Sequence, residues 1–492
     1  MTASPPTLLA IDAGTTGVRA AAFDDQLRPV AQAQEEFPQH FPFPGAVEHD
    51  AGEILGAVDR VVARVVAAAG VPAAIGITNQ RETVFPFDVA TGEALSRGIV
   101  WQDRRTAERC EELQAAGQGE RVRSITGLLL DPYFSATKME WMLANDAAVR
   151  DAASRGTLRF LTVDALIIAH LTGGERLVTD PTNASRTMLL DLESREYCDE
   201  LLGLFGVERG MLPAVVRSSG DFGSTTLGGV DVPIRGVLGD QQAALFGQGC
   251  WAAGSSKITY GTGCFLLLNT GDRRETSTAG LVTTLAADAS GGPCFALEGS
   301  AFAGGSVVQW LRDGLGVIEE AAESEAVARS VEDTGGVTLV PAFAGLGAPH
   351  WDPGARAAIL GMTRGTTGAH IVRAGLDAIA FQCGDLLEAL RLDTGLGLDR
   401  VLADGGAAAN GFLMQRQADL AGARVERSAE LETTARGAAA IAALGAGLVD
   451  DLGATAAFSA PRDTFLPTLT PGQRGAEIEA WRAAVSRVRT SS

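Results

Sequence analysis

Two apolar runs at the start of the chain meet at a short polar turn. Residues 8–11 and 18–23 are almost entirely apolar, and Gly14-Thr15-Thr16-Gly17 lies between them. A short Gly-containing turn between two such runs predicts a tight β-hairpin. Weaker alternation over residues 27–33 predicts a third strand beside it.

A helix and a buried strand are predicted next. Apolar residues recur at helical spacing after Asp50, and Gly70 with Pro72 ends the pattern. The apolar run 73–78 predicts a strand, and the polar residues 79–83 follow it. Because α/β sheets present ligand groups at the carboxyl ends of their strands, residues 79–83 are candidate ligand contacts. The alternative is an ordinary polar loop.

The opening pattern recurs in the second half of the chain. Residues 258–260 predict a strand, Gly261-Thr262-Gly263 a turn and residues 265–269 a second strand. A third Gly-rich turn, 405–410, follows the apolar run 401–404. We interpret the recurrence as a degenerate internal duplication. It predicts two domains, residues 1–249 and 250–492.

Further elements follow from the same periodicities. A short strand is predicted at 234–238, ending in Gly239-Asp240-Gln241-Gln242. Helices are predicted at residues 243–249, 303–315, 370–392, 411–421 and 433–448.

Composition and charge restrict the class of protein. The 492 residues are 46% hydrophobic and 20% charged, which is typical of a globular chain of two domains. The net charge of −20, without a clustered basic patch, argues against a nucleic-acid partner. No zinc-like cysteine spacing, signal peptide or membrane span is recognisable, so we expect a soluble cytoplasmic protein with free thiols.

The first turn has the components of a phosphate site. Gly14 to Gly17 offers close backbone approach, N–H donors and hydroxyls, and Asp12 offers a carboxylate for hydrated Mg²⁺. An ordinary hairpin turn is the alternative. Three strand-to-glycine turns together favour a nucleotide. Neither a Gly-x-x-x-x-Gly-Lys-Ser/Thr motif nor the protein-kinase motif set is present, which excludes those two kinase classes.

Other polar stretches carry candidate substrate contacts. Residues 101–105 and 127–133 each place an aromatic side chain beside charges, although such aromatics often only cover the edge of a core. Asp240 ends a strand, where it is either a helix N-cap or, with Gln241 and Gln242, part of a polyol-facing cluster.

Several blocks of sequence carry a resemblance that extends from Thr7 to Trp481. They are Gly76-Ile-Thr-Asn-Gln-Arg-Glu-Thr83, Ile99-Val-Trp-Gln-Asp-Arg-Arg-Thr106, Thr179-Asp-Pro-Thr-Asn-Ala-Ser-Arg-Thr-Met188, Gly239-Asp-Gln-Gln-Ala-Ala-Leu-Phe-Gly247, Tyr260-Gly-Thr-Gly-Cys-Phe265 and Pro341-Ala-Phe-Ala-Gly-Leu-Gly-Ala-Pro349. With them the chain resembles the FGGY family of carbohydrate kinases. The resemblance implies an α/β fold of two ribonuclease-H-like domains, as in actin and hexokinase, with a cleft between them.

The resemblance also implies an activity and a set of site residues. The expected reaction is ATP-dependent phosphorylation of glycerol to sn-glycerol 3-phosphate, with Asp240 as the general base and Mg²⁺ bound through water by Asp12. The hydroxyls of glycerol are expected to contact Arg81, Glu82, Tyr133, Asp240 and Gln241. The carbon backbone of glycerol is expected to pack against Trp101 and Phe265. The phosphates are expected to contact Thr15, Thr16, Gly17, Arg19 and Thr262, and the rest of the nucleotide Gly305, Gln309, Gly406 and Asn410. A homodimer or homotetramer is expected.

The first turn departs from the family pattern. Glycerol-phosphorylating members read Asp-Gln-Gly-Thr-Thr-Ser-Ser-Arg, whereas this chain has Ala13 in place of Gln and Gly17-Val18 in place of the two serines. The departure removes a hydroxyl donor, so it concerns nucleotide affinity rather than the class of reaction. Two alternatives stay open: a kinase of this family for another polyol or a ketose, and a non-catalytic actin-fold nucleotide switch, which would be expected to lack Asp240.

Overall fold

The computed structural model describes residues 7–352, 354–396, 398–455, 458 and 462–490, which form two compact units. Among these residues, the first unit contains 7–251, 283–295 and 434–455 with Phe458, and the second contains 252–282, 296–433 and 462–490. The first unit therefore includes two segments from the second half of the chain.

The strands are β1 (Leu8–Ala13), β2 (Gly17–Phe23), β3 (Pro29–Glu36), β4 (Glu48–His49), β5 (Ala74–Asn79), β6 (Val84–Asp88), β7 (Glu93–Ala94), β8 (Gly98–Ile99), β9 (Leu158–Thr162), β10 (Val178–Thr179), β11 (Ala214–Val215), β12 (Ser224–Leu227), β13 (Val230–Gly239), β14 (Ser256–Tyr260), β15 (Cys264–Gly271), β16 (Val282–Ala287), β17 (Pro293–Ala301), β18 (Thr338–Val340), β19 (Ala358–Leu360), β20 (Arg400–Asp404), β21 (Arg424–Ser428) and β22 (Arg462–Phe465).

The helices are α1 (Ala51–Ala69), α2 (Ala107–Ala115), α3 (Gly119–Thr126), α4 (Ala136–Asn145), α5 (Ala147–Ser154), α6 (Val163–Leu171), α7 (Pro181–Ala184), α8 (Asp199–Phe205), α9 (Asp240–Gly247), α10 (Gly305–Asp313), α11 (Glu323–Arg329), α12 (Gly368–Thr394), α13 (Gly411–Ala421), α14 (Thr433–Gly445) and a C-terminal helix, Pro471–Ser486. Short 3₁₀ turns lie at Arg209–Met211, Gly406–Ala409 and Leu452–Ala454.

The main sheet of the first unit has the order β12-β13-β5-β1-β2-β3. The predicted hairpin and third strand are confirmed, since β1 pairs antiparallel with β2, and β2 with β3. Strand β5 lies parallel to β1 on one side and to β13 on the other. In this register Asn79 is the neighbour of both Ala13 and Gly239. The carboxyl ends of three parallel strands therefore meet at one edge of the sheet.

Helix α1 matches its prediction because its stop and start signals are local. The Asp50 carboxylate accepts hydrogen bonds from the backbone N–H groups of Gly52 and Glu53, and so caps the helix. Gly70 ends it at φ +85°, a conformation that favours glycine. The apolar face of α1 is buried in the core of the first unit.

Helix α14 packs on the sheet of the first unit at glycine positions. A Cβ atom added at Gly76 of β5 would lie 2.0 Å from the carbonyl oxygen of Ala438. A Cβ added at Gly437 would lie 1.9 Å from the carbonyl oxygen of Ala243 in α9. The predicted covering helix is confirmed, and backbone atoms approach closely because one residue of each contact is a glycine without a side chain.

The sheet of the second unit includes the order β17-β15-β14-β20-β21-β22. Strand β14 pairs antiparallel with β15 and parallel with β20, and β20 is parallel to β21. These positions match those of β1, β2, β5 and β13 in the first sheet, as the internal duplication predicts.

Some helix boundaries differ from their predictions. Helix α9 begins at Asp240 rather than at residue 243, and α14 ends at Gly445 rather than at residue 448. All six cysteines are free thiols. Among the helices that the structure describes, none has the length and apolar character needed to cross a bilayer.

Candidate active site

Asp240 stands at the junction of β13 and α9. Gly239 is the N-cap of α9, and Asp240 is the first residue of the helix, so the interpretation of Asp240 as the N-cap is wrong. Its carboxylate lies 3.2 Å from Nε of Arg81, and its Oδ1 accepts the backbone N–H of Gln241 at 2.7 Å. A Cβ at Gly239 would lie 2.7 Å from Cδ of Arg81. Glycine at 239 therefore lets the arginine reach the carboxylate.

Arg81 and Glu82 follow β5 and are almost fully buried, with side chains only 1% and 2% exposed. Arg81 donates to Oε1 of Gln242 at 3.2 Å and to the hydroxyl of Tyr133 at 3.4 Å. Glu82 adopts φ +65°, an uncommon conformation for a residue other than glycine, and its carbonyl accepts the hydroxyl of Ser135 at 2.8 Å. Strained backbone of this kind is typical of functional sites.

Two aromatic side chains lie beside this charged group. The rings of Trp101 and Tyr133 meet edge to face, with centroids 5.6 Å apart. The indole N–H of Trp101 donates to Oγ1 of Thr15 at 3.0 Å. The predicted polyol contacts of the first unit are thus linked directly to the first Gly-Thr turn.

Lys138 fixes the backbone around Tyr133. Its ammonium group is fully buried and donates to the carbonyl oxygens of Pro132, Tyr133 and Phe134 at 2.5–3.0 Å. Burial lowers the pKa of Lys138 from 10.5 to about 8, against the attraction of Glu82 and nearby aspartates. No pattern in the sequence singles out Lys138.

We expect the contribution of Lys138 to stability to rise with pH. Between pH 8 and 10.5 the unfolded chain binds a proton at this site that the folded chain has released, so folding is favoured as pH increases. Comparison of the wild type with Lys138→Met by urea unfolding should show their stability difference shift by up to about 3 kcal/mol across this window and stay level below pH 8. A pH-independent difference would contradict the assignment.

The first Gly-Thr turn is held between neighbouring strands. The N–H of Gly14 donates to the carbonyl of Gly17 at 3.0 Å, and Nε2 of Gln80 donates to the carbonyl of Gly14 at 3.0 Å. A Cβ at Gly17 would lie 2.7 Å from the carbonyl oxygen of Glu35. Close packing on β3 therefore requires glycine at position 17, where the family pattern has serine.

The other predicted residues of this turn differ in exposure. Thr16 is exposed, and Asp12 is half-buried at the end of β1. Arg19, on β2, donates to Oε1 of Gln34 on β3 at 3.0 Å. Their contacts with phosphate and metal stay predictions. Among the described residues, no cluster of three or more His, Cys, Asp or Glu side chains forms a ready-made metal site.

The second Gly-Thr turn contacts the start of α10. The N–H of Gly305 donates to the carbonyl of Gly261 at 2.7 Å, and the N–H of Gly304 donates to that of Thr262 at 2.9 Å. The Thr262 side chain is exposed, whereas Phe265 is half-buried. The structure thus brings Thr262 and Gly305 together within the second unit.

The remaining predicted nucleotide residues lie on α10 and after β20. Gln309 is exposed on α10, and Gly406 begins the 3₁₀ turn that follows β20. Asn410 is the N-cap of α13: its amide accepts the N–H of Leu413 at 2.9 Å and donates to Ser324 at 3.1 Å. Asn410 therefore has a structural role, beside which its nucleotide contact stays a prediction.

Comparison with known proteins identifies relatives over nearly the full chain. Models of the FGGY family of carbohydrate kinases match residues 7–247 (N-terminal domain) and 256–446 (C-terminal domain). The glycerol kinase of Alkalilimnicola ehrlichii is 50% identical, with 98% of each chain covered, and that of Leptothrix cholodnii is 50% identical, with 97% of this chain and 98% of the relative covered.

A solved structure is also similar. The glycerol kinase of Plasmodium falciparum with ADP superimposes with a TM-score of 0.91 at 34% identity, with 99% of this chain and 98% of that one covered. The motifs, the two sheets and these matches agree, and the chain belongs to the FGGY family of carbohydrate kinases.

Proposed function

We propose that this chain is an ATP-dependent glycerol kinase that forms sn-glycerol 3-phosphate. The observation that carries the proposal is the group formed by the buried Arg81 and Glu82 and the half-buried Asp240. This group lies beside the Trp101–Tyr133 pair, at the edge of the sheet that also bears the first Gly-Thr turn. The relatives at 50% identity support it.

This group matches the chemistry of a small triol. Carboxylates of Glu82 and Asp240 accept hydrogen bonds from hydroxyls, while Arg81 and the Tyr133 hydroxyl donate. Trp101 covers the C–H face of the polyol, and Gln241 adds an amide. A substrate that lacks one hydroxyl leaves a buried group without its partner, which costs about 1 to 3 kcal/mol. We propose that Phe265 of the second unit also packs on the carbon backbone.

Phosphoryl transfer requires positioning and a base. Asp240 takes the proton of the attacking primary hydroxyl as its oxygen bonds to the γ-phosphorus of ATP, and the bond from that phosphorus to the bridging oxygen of ADP breaks. Arg81, 3.2 Å from Asp240, fixes the orientation of the carboxylate. The phosphates contact Thr15, Thr16, Gly17, Arg19 and Thr262, and the rest of the nucleotide contacts Gly305, Gln309, Gly406 and Asn410.

Asp12 fits the role of an indirect Mg²⁺ ligand. Mg²⁺ usually keeps several waters and binds through one or two carboxylates and substrate phosphates, so a single half-buried aspartate next to the phosphate turn is a sufficient donor set. When bound, the ion neutralises charge on the transferred phosphoryl group. The division into domains at residue 249, the cytoplasmic location and the homodimer or homotetramer remain predictions.

The proposed function is tested with a panel of acceptors. A coupled ADP-release assay with glycerol, dihydroxyacetone, erythritol, xylulose, ribulose and gluconate should give the highest kcat/KM with glycerol, because the buried polar groups match three adjacent hydroxyls. A pentulose or tetritol that exceeds glycerol tenfold would identify a kinase for that substrate instead. If none of these acceptors gave ADP release, the result would favour the non-catalytic nucleotide switch.

A further inference from the structure

One buried segment of the first unit contains none of the residues proposed to touch glycerol or ATP. Residues 180–188 are all buried and include α7. Asp180 caps α7, accepting hydrogen bonds from the N–H groups of Thr182 and Asn183 and from the hydroxyl of Ser218 at 2.7–3.0 Å. These hydrogen bonds therefore fix the start of the segment.

The same segment is bonded to the ends of two strands. The hydroxyl of Thr182 accepts the N–H of Gly239 at 2.8 Å, directly before Asp240. The side-chain amides of Asn183 and Asn79 pair reciprocally at 2.9 and 3.2 Å, at the end of β5. Residues 180–188 are thus locked to the strands that present Arg81, Glu82 and Asp240.

Arg186 extends from this segment to Glu82. Its Nε lies 2.6 Å from Oε1 of Glu82, and the side chains are 0% and 2% exposed. The guanidinium lies 5.5 Å from the ring centroid of Tyr133 and 5.1 Å from that of Phe134. Arg81 is a more distant partner, with its Nε 3.8 Å from the same carboxylate oxygen.

We propose that Arg186 is a positioning residue for substrate specificity: it holds the Glu82 carboxylate where it receives a polyol hydroxyl and leaves Arg81 to orient Asp240. This inference rests on the proposed function.

The charges of the site explain why the two arginines serve different carboxylates. Two guanidiniums and two carboxylates lie together, and Arg81 is 3.2 Å from Asp240 but 3.8 Å from Glu82. Without Arg186, Glu82 becomes a buried carboxylate whose nearest cation is shared with Asp240. Removal of one partner from a buried ion pair is far more harmful than replacement of the whole pair, because the remaining charge has lost its compensation.

The test compares acceptors that differ by one hydroxyl. For the wild type and for Arg186→Gln, kcat/KM is measured with glycerol, propane-1,2-diol and propane-1,3-diol. We expect the glycerol KM of the variant to rise on the order of 10²-fold with an unchanged MgATP KM. We also expect the preference for glycerol over at least one diol to fall at least tenfold. Arg209→Gln is the control, because Arg209 is an exposed arginine that pairs with Asp199. It should change neither the glycerol KM nor the preference for glycerol over the diols.

Two further variants separate positioning from a general structural role. Glu82→Gln should lose the same preference, and the double variant Glu82→Gln/Arg186→Gln should be little worse than either single variant, because both act on one hydroxyl contact. Arg186→Lys keeps the charge but not the planar donor fork. It should therefore reverse part of the rise in the glycerol KM, while its preference for glycerol over the diols should stay weak. This variant carries the test if Arg186→Gln does not fold.

The outcomes distinguish this inference from the proposed function. An active wild type whose preference for glycerol over both diols is unchanged in folded Arg186→Gln, or additive losses in the double variant, would overturn the role of Arg186 alone. A wild type without glycerol turnover would overturn the proposed function and this inference with it.

Discussion

Asp240→Asn should lower kcat for glycerol phosphorylation by about 10² to 10⁴, the usual contribution of a general base. The substitution keeps the shape of the side chain and removes the proton acceptor, which lies 3.2 Å from Arg81. The KM for MgATP should change little, because the predicted phosphate contacts lie on the Gly-Thr turns. Steady-state kinetics of the folded variant measures both quantities.

Asp231→Asn is the matched control for this variant. Asp231 lies on the same strand, β13, and is exposed. Its substitution should leave kcat unchanged. Because Gly239 rather than Asp240 is the N-cap of α9, a loss of turnover in Asp240→Asn does not have a capping explanation. A kcat within about threefold of the wild type would remove Asp240 as the base.

Gly76→Ala should destabilise the first unit by about 3 kcal/mol or more, at the upper end of the range for overpacking. The new Cβ would lie 2.0 Å from the carbonyl oxygen of Ala438, so α14 must move away from β5. We expect the Tm of this unit to fall by about 6 to 12 °C in thermal unfolding followed by circular dichroism.

Gly203→Ala provides the comparison within the same unit. Gly203 is an exposed residue of α8, and a Cβ there meets nothing within 4 Å. Alanine should therefore stabilise the helix slightly, by up to about 1 kcal/mol. If both variants melted within about 2 °C of the wild type, the close packing of α14 on β5 would be wrong.

Only some residues of the site could be predicted from residue types and their position in the sequence. Asp12, the Gly-Thr turns and residues 79–83 were recognisable because they lie at the ends of apolar strands. The parallel register of β1, β5 and β13 places Asp12 near the end of β1, and Arg81 and Asp240 just after the neighbouring strands β5 and β13. Arg186 and Lys138 were not selected. A charged residue in a sequence is expected at the surface, and only the fold shows that these two are fully buried beside Glu82 and Tyr133.

The start of α9 was predicted three residues late for a related reason. Asp240, Gln241 and Gln242 are polar, so the apolar pattern assigned them to the junction rather than to the helix. In the structure Gly239 is the N-cap, and Gln241 and Gln242 are buried. Oε1 of Gln242 accepts a hydrogen bond from Arg81 at 3.2 Å instead of facing solvent.

The sequence by itself determined the elements whose signals are local. The hairpin β1–β2, helix α1 between Asp50 and Gly70, and helix α13 at Gly411–Ala421 follow from apolar periodicity, a capping side chain and glycines at turns, all of which act between residues close in the chain. Only the tertiary structure decided that α14 covers β5 of the first unit and that Arg186 pairs with Glu82. These contacts join residues more than 100 positions apart, and they depend on backbone approach and mutual burial, which no local pattern encodes.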